Sequence, residues 1–133
     1  MTDFIDFCRS IKTRPSMFLW PVKYYSAVNL VIGYNYAVDS LLLEGFHEWL
    51  ILKLGFRCEF YWGRLIPMIV FPETPDLLEE WREDKPSIEQ EKMAIIRLAD
   101  ELEEFYQVKK DQNRGLRWIY AQYDLSCYKL DNE

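Results

Sequence analysis

The side chains of this chain that could do chemistry are few: one histidine, three cysteines and several adjacent carboxylates. His47 lies between Phe46 and Trp49 on an amphipathic stretch. A general base needs a proton-exchanging partner, and a metal ion needs further ligands. There is no second histidine, and no HExxH or HxxE spacing surrounds His47. A structural or surface histidine is the better reading. Cys8, Cys58 and Cys127 form no CxxC pair, which argues against a zinc site or a disulfide framework. Buried free thiols in a reducing cytosol are expected. No GxSxG elbow and no GxxxxGK[ST] phosphate loop occurs. The carboxylate pairs Glu79-Glu80, Glu83-Asp84, Asp100-Glu101 and Glu103-Glu104 remain. A carboxylate acts as a general acid where its surroundings raise its pKa. Adjacent acids on exposed helices stay solvated and ionised, so these pairs read as charged faces. No catalytic residue, cofactor or metal ligand is expected.

The charge distribution is uneven. Residues 1–70 carry seven Lys/Arg and six Asp/Glu, a net of +1, and residues 71–133 carry nine and sixteen, a net of −7. An acidic half repels nucleic acid and attracts basic proteins. The bland alternative is a face charged for solubility. No apolar run approaches the roughly 18 to 20 residues that span a bilayer. The first eleven residues, with Asp3 and Asp6, lack the basic and apolar order of a secretion signal. A cytoplasmic protein that binds neither nucleic acid nor membrane is expected.

The elements that position these groups follow from apolar spacing. At 133 residues, half of them hydrophobic, the chain is read as one domain with a single core. Phe4, Phe7, Cys8 and Ile11 predict a first helix, capped by Thr2 or Asp3 and ended at Arg14-Pro15. Met17 to Val22 reads as a short connector. Ala27, Leu30, Val31, Tyr34, Ala37, Val38 and Leu41 form one stripe of an Ala27–Leu43 helix, and Val28 and Ile32 widen it, so this helix is expected at the centre of the fold. Gly33 in its middle costs about 1 kcal/mol relative to Ala, which the close approach of a neighbouring helix would explain. Gly45 breaks the helix, and Phe46 to Leu54 forms the next, closed by Gly55. Phe60 to Val70 is read as helix, although Pro67 is awkward there and Met68 to Phe71 could be a strand. Thr74-Pro75 starts a short acidic helix ending near Asp84. Ser87-Ile88-Glu89-Gln90 is a capping box before a long helix. Leu116 to Tyr123 suggests a last helix, with a strand as the alternative. The expectation is an all-α bundle of five or six helices, with at most one short strand or hairpin. Leu30, Val31, Tyr34, Val38, Leu41, Trp49 and Leu50 are expected to be buried.

One pattern stands apart from periodicity. Arg14-Pro15-Ser16-Met17-Phe18, then Gly33-Tyr34, then Gly45-Phe46-His47-Glu48-Trp49-Leu50 resembles a group of small bacterial proteins. Several of these are encoded beside secreted toxins, as immunity proteins. The resemblance spans residues 2 to about 69 and carries no catalytic residues. Ser16 and Phe18 stand where relatives often have Gly and Tyr. The matching positions read as fold residues, with Pro15 setting a turn and Met17 and Phe18 packing. The resemblance implies a stoichiometric inhibitor of a cognate toxin with a basic surface, a nuclease for choice. A non-catalytic adaptor is the alternative, and a small enzyme with an acid-only site ranks below it. Candidate contact residues are the acids Glu79, Glu80, Glu83, Asp84, Glu103 and Glu104. The aromatic candidates are Trp62, Trp81 and Trp118.

Overall fold

The computed structural model describes residues 3–38, 41–73 and 86–131, with side chains through Cys127. Among the described residues there are seven helices and no strand: α1 (Phe4–Thr13), α2 (Pro15–Phe18), α3 (Tyr24–Val38), α4 (Phe46–Leu54), α5 (Trp62–Val70), α6 (Ile88–Lys110) and α7 (Gly115–Asp131). The all-α expectation therefore holds. The connector after Pro15 is in part a short helix; of the ambiguous stretches, 60–71 is helical over Trp62–Val70 and 116–128 is helical throughout. The short acidic helix expected over 76–84 lies outside the described residues.

Local chemistry explains most of the boundaries. Asp3 accepts the backbone N–H of Asp6 at 2.8 Å and caps α1. Ser87 and Gln90 form the reciprocal capping box of α6, at 3.1 and 2.8 Å. Gly45 and Gly55 bracket α4, each with φ +92°, a conformation that L side chains rarely adopt. Gly45 is also pressed by a neighbour. A Cβ there would stand 2.4 Å from Cδ1 of Leu116.

The centre of the fold is α6, which packs against α1, α3, α4, α5 and α7. This corrects the expectation that the Ala27–Leu43 helix would be central. Instead, α3 is peripheral and packs chiefly on α6. It buries Tyr24, Ala27, Val28 and Val31 near its start. Farther along, Leu30 and Tyr34 are half-buried, Val38 is 56 % exposed, and Leu41, beyond the helix, is 61 % exposed. Gly33 also departs from expectation, since among the described residues a Cβ placed on it would have nothing within 4 Å. An apolar run marks a surface as buriable, but it does not say how many neighbours arrive.

Pro67 sits inside α5, where the sequence argued against it. Proline has no N–H, so the Gly63 carbonyl four residues back loses its helical donor. The Tyr24 hydroxyl supplies one instead, donating to Gly63 O at 2.6 Å. Tyr24 is fully buried, and burial pushes its phenol well above its usual pKa, so it remains a donor. Its backbone N–H, the first of α3, is accepted by the buried carboxylate of Glu91 on α6. One residue therefore closes two helix defects from a single position.

Candidate protein-binding surface

The structure places the reactive groups among the described residues as follows. Cys8 is fully buried. Burial first, then the charges of Glu103 and Asp3, push its thiol up to about 12. A thiol held protonated is a poor nucleophile. Cys58 and Cys127 are free and half-buried. His47 occupies the first turn of α4, half-buried. Among the described residues, no three His, Cys, Asp or Glu side chains gather as a metal site.

The carboxylates do not all behave as solvated pairs. Glu101, of the Asp100-Glu101 pair, is 4 % exposed, which corrects the expectation of a solvated face. It accepts the indole N–H of Trp49 at 3.1 Å and Arg97 Nε at 3.3 Å. A buried charge is tolerated where such partners surround it. Of the candidate contact acids, Glu103 accepts from Arg9 at 2.8 Å and Glu104 from Lys53 at 3.2 Å. Both therefore brace α6 against α1 and α4. Glu79, Glu80, Glu83, Asp84 and Trp81 lie outside the described residues.

Trp62 and Trp118 are half-buried and pack against the core. Trp62 meets Phe46 edge to face at 5.4 Å, and the Arg114 guanidinium lies 5.8 Å from the Trp118 ring. Each spends part of its surface inside the molecule.

Among the described residues the most outward-facing aromatic is Trp20, 94 % exposed, which the sequence reading did not single out. It belongs to the block between Pro15 and Pro21. Arg14 ends α1, its N–H bonding to Ser10 O at 2.9 Å, and Pro15 opens α2. The Leu19 N–H closes that turn on Pro15 O at 2.8 Å. Leu19 is 2 % exposed and anchors the segment, whereas Met17 is 67 % and Phe18 46 % exposed. This corrects the expectation that Met17 and Phe18 pack. A single turn between two prolines can bury one of its apolar side chains and displays the others. Consecutive Met-Phe-Leu-Trp in so short a segment was the available signal.

Further exposed apolar residues lie on α6. Arg9 meets Glu103 and Lys12 meets Asp100 at 2.7 Å, so α1 and α6 run antiparallel. Ile96 and Met93 lie one and two turns before Asp100 on its stripe of α6. They are 41 % and 49 % exposed. Met17, Phe18 and Trp20 thus form an exposed apolar group along one short segment, and Met93 and Ile96 are exposed on α6. Exposed Arg14, Lys92 and Glu89 adjoin these residues in sequence or on α6. Exposed aromatic and methionine side chains suit protein contact. No helix among the described residues is long and apolar enough to cross a membrane. No family model matches the chain, and neither the curated proteins nor the solved structures contain a match to it.

Proposed function

We propose that this chain is a non-catalytic protein inhibitor, an immunity protein that binds a cognate bacterial toxin one to one and occludes it. The observation that carries this reading is the outward display of Met17, Phe18 and Trp20 by the block that resembles such proteins. Exposed apolar anchors grouped in one place are what a tight protein contact desolvates. The net −7 of residues 71–133 supports a basic target such as a nuclease, because it would orient the molecule in the target's field.

The test is co-expression with a toxin domain encoded beside this gene, followed by calorimetry and toxin-activity titration. Inhibition should saturate at one inhibitor per toxin. Trp20→Ala should weaken binding at least about 30-fold if Trp20 is a hot spot. Reversing Glu79, Glu80, Glu83 and Asp84 together should slow association and reduce its salt dependence. Binding unaffected by Trp20→Ala would remove the anchor. Failure to bind or protect against any toxin encoded nearby would overturn the reading.

A further inference from the structure

We infer that the segment between α1 and α3 is a preformed recognition element, fixed in its outward-facing form before any partner arrives, and that Leu19 is the positioning residue that fixes it. The toxin as its partner rests on the reading above; the preformed display does not. Ten residues, 14–23, join Thr13 to Tyr24. Both ends are held on α6. At the first, Ile11 is buried and α1 packs on α6. At the second, the buried carboxylate of Glu91 accepts the Tyr24 N–H.

The backbone between those ends is closed turn by turn. Met17 N–H donates to Arg14 O at 3.1 Å, Leu19 N–H to Pro15 O at 2.8 Å and Lys23 N–H to Pro21 O at 2.9 Å. Pro15 and Pro21 fix φ near either end, which removes conformational freedom from the chain before it folds. Leu19 itself is extended, with φ −117° and ψ 129°. Successive side chains of extended backbone point to opposite sides. With Leu19 turned into the core, its neighbours Phe18 and Trp20 are turned outward.

Of residues 14–23 only Leu19 is buried. Val22, half-buried, packs on the core after Pro21. Ahead of Pro21, Leu19 is therefore the pin. A binding segment that is already ordered avoids the entropy of immobilising its side chains on contact. Leu19 offers a partner almost no surface, so its effect on binding runs through Met17, Phe18 and Trp20.

Backbone nitrogen-15 relaxation on the isolated full chain tests the inference without a partner, because order parameters report the native state alone. The amides of residues 16–20 should match those of α1, with order parameters of about 0.85. In Leu19→Ala they should fall below about 0.6, with α1 and α6 unchanged. Leu19→Met, close in volume, should restore them. A merely structural leucine would lower the thermal midpoint and leave these amides as ordered as before. If Leu19→Ala does not fold, the smaller truncation Leu19→Val replaces it, with an intermediate fall expected. Against the toxin domain encoded beside the gene, Leu19→Ala should weaken binding at least about ten-fold, with Leu19→Met near wild type. Wild-type amides already below about 0.6 would overturn the inference. So would a truncated Leu19 that leaves the segment ordered, or toxin binding unchanged by that truncation. A wild type ordered over 16–20 that binds no toxin would sink the toxin reading and uphold the preformed display.

Discussion

Replacing Tyr24 by Phe removes one oxygen atom from the interior and leaves the ring in place. The structure gives that atom a defined task, donating at 2.6 Å to the Gly63 carbonyl that Pro67 deprives of its helical donor. A buried carbonyl left without a donor costs about 1 to 3 kcal/mol. For a chain of this length that is a fall of roughly 3 to 5 °C in Tm per kcal/mol. Urea unfolding followed by circular dichroism and tryptophan fluorescence gives the free energy by linear extrapolation. Pro67→Ala sharpens the test, because it returns an N–H aimed along the helix at Gly63 O. In that background Tyr24→Phe should cost far less, with a coupling of about 1 kcal/mol or more in the double-mutant cycle. An equal cost in both backgrounds would show that the hydroxyl does not replace the missing donor. A Tyr24→Phe protein within about 0.5 kcal/mol of wild type, the scatter of neutral substitutions, would remove the argument at its start.

Trp49→Ala should destabilise by about 3 to 5 kcal/mol, since it empties a core site and strips an indole donor from buried Glu101. Trp49→Phe, measured by the same unfolding assay, should recover much but not all of that loss. The glycines should respond with opposite signs. Gly33→Ala in open helix should raise stability by up to about 1 kcal/mol. Gly45→Ala should lower it by at least about 1 kcal/mol, because its φ is +92° and Leu116 blocks the Cβ. Alkaline pH should weaken the fold. The Cys8 thiol ionises near its ordinary value of 9.0 in the unfolded chain and near 12 in the folded one. Rising pH therefore draws a proton from the unfolded state first. The stability linked to Cys8 is whole below about pH 9 and is lost as pH climbs toward about 12. Stability measured against pH over that window should fall less steeply in Cys8→Ala than in wild type.

The sequence by itself determined those features that rest on near neighbours along the chain. The all-α class, the end of α1 at Arg14-Pro15, the capping box at Ser87 and the glycine boundaries of α4 need only spacing and local backbone chemistry. Tertiary structure decided whatever depends on which helix arrives where. It set α6 at the centre and left α3 at the edge, because apolar periodicity describes one surface and never its partner. Pro67 was legible as a defect, but the Tyr24 hydroxyl that repairs it comes from 39 residues away. Glu101 looked like one of two solvated acids until Trp49 and Arg97 closed around it. Met17 and Phe18 were read as packing for the same reason. One turn between two prolines has too little surface to bury four large side chains, and the fold chose Leu19.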